Sequence, residues 1–160
     1  MKKFLLLAIT TLTLSITANS QEYVTFGNKT FSIDYPAEWE VTYDDNECLN
    51  LADADGNIRF DITFNQQGPM KNQLQECVDN WVYMKESHGH KVDQKLVKDD
   101  YALVRSIETN EDDGAQTVVV WFLMISSEPQ CFSDTIQSDF EHANEAIDVL
   151  VKMLATLNPK

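Results

Sequence analysis

The sequence predicts an α+β protein whose largely antiparallel sheet has helices on both sides. Three observations lead to this prediction. Short segments of alternating apolar and polar residues recur along the chain, and most are joined by loops of hairpin length. One uninterrupted apolar run, 118–125, is typical of an interior strand covered on both faces. Two segments with apolar residues at three- and four-residue steps predict a helix in the middle of the chain and another at its end.

The first half of the chain predicts five strands. They are expected at 23–26, 30–35, 39–43, 48–52 and 58–64. Gly27-Asn28 and Asp55-Gly56 predict turns between neighbouring strands. In the fifth segment Arg59, Asp61 and Thr63 alternate with apolar residues, which predicts one dry and one wet face. The third segment is expected to continue the sheet that the first two open.

The second half predicts a helix after Gly68-Pro69 that ends near Gly89, followed by four strands and the closing helix. The strands are expected at 91–98, 101–109, 118–125 and 130–137. Ser138 and Glu141 have the S-x-x-E spacing of a capping box, and Phe140 is expected on the apolar face of the last helix, which stops at Asn158-Pro159. Trp39, Trp81 and Trp121 are all expected near the core.

Residues 1–20 have the composition of a signal peptide. A basic start is followed by an apolar stretch and by small residues before Gln21. The apolar stretch is too short for a comfortable membrane span of ~20 residues. We therefore expect an exported chain, periplasmic or secreted, that is soluble after cleavage, with residues 21–160 forming a single domain.

The balance of charge is strongly acidic. The formal net charge is −14, and cleavage would lower it to −16 because the first twenty residues hold two lysines and no acid. Such a surface repels nucleic-acid phosphates and anionic lipid and attracts cations or basic partners. We therefore expect neither nucleic-acid binding nor membrane insertion of the mature chain.

The pattern Phe31-x-Ile33-x-Tyr35-Pro36-x-x-Trp39-x-Val41 carries a family resemblance, together with the Asp55-Gly56 turn, the middle helix and the apolar strand before the last helix. Over residues 23–157 the chain resembles the PsbP-like family. The superfamily includes the photosystem II oxygen-evolving extrinsic P protein, import factors that bind the Ran GTPase, and exported bacterial proteins of obscure role. The resemblance implies an α/β/α sandwich around a largely antiparallel sheet, burial of the apolar residues of the pattern, and a binding or assembly role rather than catalysis.

Acidic loops are the first candidate for a site. Asp53, Asp55 and Gly56 suggest calcium, but Ile58 and Phe64 occupy the positions where an EF-hand loop needs Gly and Glu. A weaker divalent-cation site would form if the other acidic loop converged on this turn. Its candidate ligands are Asp44, Asp45, Glu47, Asp53 and Asp55.

Histidines and cysteines supply the remaining candidates. His88 and His90, with Asp93, have the chemistry of zinc ligands, and surface histidines after a helix explain them equally well. Cys48, Cys77 and Cys131 allow one disulfide, in three alternative pairings, with one thiol left over. Nothing in the spacing of His90 or His142 suggests a cysteine–histidine nucleophile.

These observations predict no cofactor and no catalytic residues. The favoured function is an exported binding or assembly-accessory module with a protein partner. A protein that binds a divalent cation or small ligand through its acidic loops is the alternative.

Overall fold

The computed structural model describes residues 21–160, so the predicted signal peptide lies outside the described part of the chain. These residues form ten strands, two α-helices and a short 3-10 helix, Lys71–Gln73. The strands are β1 (Tyr23–Gly27), β2 (Phe31–Pro36), β3 (Glu40–Asp44), β4 (Cys48–Ala52), β5 (Ile58–Asn65), β6 (Lys91–Val97), β7 (Tyr101–Thr109), β8 (Gln116–Ser127), β9 (Gln130–Asp139) and β10 (Asn158–Pro159). The helices are α1 (Leu74–Ser87) and α2 (Ala143–Leu154). Neither helix has the length and apolarity needed to cross a membrane.

The main sheet has seven strands in the order β3-β4-β5-β9-β8-β7-β6. Every neighbouring pair is antiparallel. The predicted apolar run forms most of β8, an interior strand between β9 and β7, and the Asp55-Gly56 turn joins β4 to β5 with Gly56 at a φ of 72°. The expected α+β class and largely antiparallel sheet are confirmed.

The larger core lies on one face of this sheet. Alternate residues of β4, β5, β8 and β9 meet the apolar sides of α2 and β2 there. Aromatic rings fill its centre: Phe132 lies 5.4 Å from Phe31 and 4.9 Å from Phe64 between ring centroids. The central strands β4, β5, β9 and β8 are buried on this face, because a helix and a small second sheet cover them together.

A smaller core lies on the opposite face, under α1. Leu74 and Val78 of the helix are buried against residues of β7, β8 and the start of β9. Trp81 and Trp121 are only partly buried at the border of this cluster, whereas Trp39 is buried in the larger core. The sandwich layers are therefore α1, the seven-stranded sheet, and α2 with the second sheet.

The N-terminal hairpin does not continue the main sheet, and this expectation from sequence is wrong. Strands β1 and β2 pair with the two-residue β10 in a separate sheet. The chain turns at Pro36, whose carbonyl accepts a hydrogen bond from the N–H of Trp39 at 3.0 Å. Trp39 then packs against Phe60, with centroids 4.9 Å apart, and so fixes the corner between the sheets.

Four local expectations are also corrected. Val41 is 37% exposed because β3 is the edge strand. The capping box does not form: Ser138 belongs to β9, α2 begins at Ala143, and the Asp139 side chain accepts the N–H of His142 at 2.8 Å. Phe140 consequently precedes the helix and is 54% exposed. Helix α2 ends at Leu154, before the residues that pair with β2.

Asp134 is a buried acid in the larger core. It lies on β9 between Ile62 of β5 and Phe122 of β8, is 1% exposed, and neither of its carboxyl oxygens has a hydrogen-bond partner among residues 21–160. Burial raises the pKa of this carboxyl to about 8, the charge of Asp61 adds to the rise, and the main-chain N–H of Asp61 opposes it. Asp134 is therefore neutral in the folded protein near neutral pH.

Replacing Asp134 by Asn is expected to flatten the dependence of stability on pH. Folding raises the pKa of Asp134 from 3.8 to about 8, so the folded state holds one more proton than the unfolded state between these values. The stabilisation that protonated Asp134 adds to the free energy of unfolding is complete below pH 3.8. It is lost as the pH rises through the folded-state pKa of about 8, at up to ~1.4 kcal/mol per pH unit. We expect the free energy of unfolding, measured with urea from about pH 5 to pH 8, to fall with this slope in the parent chain and not in Asp134→Asn.

Asp148→Asn is the matched control, because Asp148 lies exposed on α2. It removes the same formal charge without touching the core. Equal effects of Asp134→Asn and Asp148→Asn on the slope would contradict the assignment of the slope to Asp134.

Candidate functional site

Half of one face of the main sheet is left uncovered. Helix α1 packs on β6 and β7, reaches β8 through Trp81 and covers Cys131 at the start of β9, but it leaves the rest of β9 and the strands β3, β4 and β5 uncovered. Apart from Cys131, the side chains that point away from the larger core on β3, β4, β5 and β9 are therefore half-buried or exposed. We call this surface the open face. Its residues are Tyr43, Cys48, Asn50, Ala52, Arg59, Asp61, Thr63, Ser133, Thr135 and Gln137.

Strand register arranges the open face in rows. The middle row runs from Tyr43 through Asn50, Asp61 and Thr135 to Trp121, with each residue paired to the next across neighbouring strands. At ~4.8 Å between strands the row is about 19 Å long. An aromatic side chain stands at each end, and hydrogen-bonding side chains lie between them.

Helix α1 forms a wall along one side of the open face. The Trp81 and Trp121 rings stack with centroids 5.1 Å apart and planes 19° from parallel. The Lys85 ammonium lies 5.1 Å from the Trp81 centroid and donates to Glu108, which also has His90 Nε2 at 4.0 Å. These contacts order the wall without using any side chain of the open face itself.

Asp61 is the central charge of the open face. Burial raises its pKa, and the positive charge of Arg59, two residues away on the same strand face, acts in the opposite direction. Within residues 21–160, neither Asp61 nor Arg59 forms an ion pair with an N···O distance of 4.0 Å or less. Asp61 is thus a partly desolvated carboxylate without a direct counter-charge.

Recesses lie at both ends of the open face. One, of about 470 Å³, is lined by Thr63, Ser133, Glu47 and the loop after β5. At the other end two shallow recesses, of about 260 and 250 Å³, share Thr117 and Gln137, and Arg59 lines the first of them. All are wide open, so the face offers a shallow surface rather than an enclosed pocket.

The structure does not bring the two acidic loops together. Asp44, Asp45 and Glu47 lie at the start of β4, and Asp53 and Asp55 lie past its end. Five strand residues separate them by roughly 17 Å. Among residues 21–160 no three acids, histidines or cysteines are clustered as metal ligands, so the condition for the predicted cation site is not met.

Two of the loop carboxylates already serve the turns. Asp45 accepts the N–H groups of Glu47 and Cys48, both at 2.7 Å, and these bonds lower its pKa. Asp53 accepts the N–H of Ile58 at 2.9 Å and closes the β4–β5 turn. Their position in the sequence reflects turn geometry.

Each of the three histidines lies against a different partner. His88 Nδ1 lies 2.7 Å from the carbonyl of Met84, at the end of α1. Asp93, the suggested third zinc ligand, makes a two-pronged ion pair with Arg105. His142 lies 2.7 Å from Asp139, and this hydrogen bond raises the pKa of the exposed imidazole.

The cysteines lie in two places. Cys131 is buried in the smaller core, with Cys77 packed against the same cluster, whereas Cys48 is on the open face. All three are free thiols in the structure. Burial, with the Cys77 thiol adding, raises the pKa of Cys131 to about 11. Strand β5 separates Cys48 from Cys131, a gap of about 9–10 Å, beyond the ~7 Å that a disulfide spans.

Sequence reasoning missed the open face as a site. The alternation of Arg59, Asp61 and Thr63 predicted a wet strand face correctly, but the strand order that places Asn50 and Thr135 on either side of Asp61 depends on distant pairings. The burial of Asp134 could have been predicted from the sequence, because Asp134 lies two residues from both Phe132 and Ile136 and so shares their side of the strand.

Comparison with solved structures shows the fold. The yeast (Saccharomyces cerevisiae) Ran-binding protein Mog1p aligns with a TM-score of 0.60 and 12% identity over 87% of this chain and 96% of that one. A point mutant of the protein Mog1 aligns with a TM-score of 0.59, at 12% identity, over 86% and 94%. A Bacteroides thetaiotaomicron structure aligns with a TM-score of 0.51 and 14% identity over 81% of this chain, which spans only 45% of that one. No protein-family model and no curated protein sequence matches.

Of the three disulfide pairings that the sequence allows, these positions favour Cys77–Cys131 in an oxidising compartment. Only this pair shares a cluster. Peptide mapping of unreduced, alkylated protein should recover the two cysteines in one linked peptide and Cys48 as an alkylated thiol. Three alkylated cysteines, or a bridge that contains Cys48, would contradict this assignment.

Thermal melting tests the cation site directly. We expect residues 21–160 to have the same melting midpoint with calcium, manganese or zinc as with EDTA, because the candidate acids lie at opposite ends of β4. A ligand that binds the folded state must raise the midpoint. A rise of several degrees with one metal, absent in Asp45→Asn, would restore the acidic-loop site.

Proposed function

We propose that this chain is an exported, non-catalytic binding or assembly-accessory module whose open face meets a protein partner. The observation that carries the proposal is the open face itself, a polar surface over four neighbouring strands, three of which are buried on their other side in the larger core. Its side chains are mainly hydroxyls and amides, which donate and accept hydrogen bonds across an interface.

The shared fold supports a protein partner. The yeast protein that aligns over 87% of this chain is a Ran-binding protein, so this arrangement of sheet and helices serves protein binding in at least one case. At 12% identity the likeness carries no residue of that interface to this chain. We therefore propose the class of function and leave the partner to be identified chemically.

The sequence of residues 1–20 supports export, with a periplasmic or secreted location for the mature chain. An acidic net charge favours a partner with a basic surface. The acidic loops offer no competing function, since their carboxylates are separated and partly used by turns.

Site-specific photo-crosslinking in the native organism tests the proposal. A photoreactive phenylalanine analogue replaces Gln137, which is exposed on the open face, and in a matched strain it replaces Val151, which is 61% exposed on α2. We expect a discrete protein adduct from position 137 only. The intact mass of the recovered chain should correspond to a start at Gln21.

The same experiment can contradict either part of the proposal. No adduct at Gln137, or identical adducts at Gln137 and Val151, would overturn the binding role of the open face. A chain recovered with residues 1–20 still attached would overturn the export part alone.

A further inference from the structure

The size of the open face limits what it can bind. Four strands span about 14 Å, and five residues along each strand span about 17 Å, so the flat part covers ~240 Å². A folded partner in a stable complex buries about 800 Å² on each side. The flat part of the open face therefore matches about five residues of an extended segment rather than the surface of a domain.

The charges of the chain select the sign of that segment. With a net charge of −14, a second copy of the chain is repelled, as is any acidic partner. The centre of the open face is Asp61, whose nearest charged neighbour on the same strand, Arg59, makes no ion pair with it. A cation brought to this position compensates a half-buried carboxylate that the fold leaves without a direct partner.

The neighbours of Asp61 supply the remaining contacts. Asn50 and Thr135 flank it across the strands, and Thr63 lies two residues along its own strand. They present hydroxyl and amide groups that hydrogen-bond to a polar main chain. The stacked Trp81 and Trp121 rings bound the row on one side, and Tyr43, which is 53% exposed, bounds it on the other.

We propose that the open face binds a short extended segment of a partner protein and that a lysine or arginine of this segment is placed on Asp61. This inference rests on the proposed function and adds the chemistry of the partner and the residue that recognises it. The hydroxyl and amide side chains around Asp61 hold the main chain of the segment, and the wall of α1 limits its length.

The probe is a capped peptide of roughly six residues in which serine and lysine alternate. Titration of ¹⁵N-labelled residues 21–160 should produce chemical-shift changes concentrated at Asn50, Asp61 and Thr135. Asp61→Asn should weaken binding at least about fivefold, since one fully engaged charge pair is lost. The matched control, Asp112→Asn, removes the same charge from the exposed β7–β8 loop and should change affinity less than about twofold.

A second variant keeps the test decisive if Asp61→Asn perturbs the fold. Thr135→Lys places a cation beside Asp61 within the chain and should abolish the response of the open face to the peptide, with the dispersed amide spectrum retained. Salt should weaken binding to the parent chain more than any remaining binding to this variant.

Other outcomes overturn the inference. Equal losses in Asp61→Asn and Asp112→Asn, or shifts spread over the acidic loops, would mean general attraction to an acidic surface. Shifts at the same residues with a neutral oligosaccharide and none with the peptide would make the occupant a glycan. An undiminished Gln137 crosslink in an Asp61→Asn background would reject the role of Asp61 and leave the proposed function intact.

Discussion

The width of the main sheet is the constraint on which the rest of the structure depends. Seven strands span about 29 Å, whereas a helix covers only ~10–12 Å. On one face α2 and the β1-β2-β10 sheet share the task, so the rows from Leu49 to Leu103 are buried. On the other face the single helix α1 covers β6, β7, part of β8 and only the start of β9. The strands beyond its reach must carry polar side chains there, and those side chains form the open face.

Two acids that influence each other, Asp134 and Asp61, lie on opposite faces of the same sheet. Asp134 is in the larger core and Asp61 is on the open face, one strand away, and the charge of Asp61 helps to raise the pKa of Asp134. A buried carboxyl without hydrogen bonds reduces stability unless it takes up a proton. The fold therefore tolerates Asp134 as a neutral acid and leaves Asp61 to carry the charge. A cation bound at Asp61 also screens its repulsion of an ionised Asp134.

Sequence patterns predicted the fold well where the signal was local. The alternation of 58–64, the apolar run 118–125 and the helical spacing after Pro69 correspond to β5, β8 and α1. Features that depend on distant pairing were not predictable in this way. The separate N-terminal sheet requires β10, which pairs with β2 from the other end of the chain. Strand β9 continues to Asp139. Ser138 therefore pairs with Ile58 of β5 and does not form the capping box that its S-x-x-E spacing predicts.

The acidic composition points to a charged site, but it does not say which acids are available. Asp45 and Asp53 are two of the five candidate ligands in the sequence, yet their oxygens already accept main-chain N–H groups that hold two turns. Glu108 is held by Lys85, and Asp93 by Arg105. Asp61 differs from all of these because burial has removed part of its water and, within the described residues 21–160, no ion pair replaces that water. A partner gains most where the fold has left a charge incompletely compensated, which is why Asp61, rather than the more numerous loop acids, is the residue on which recognition should depend.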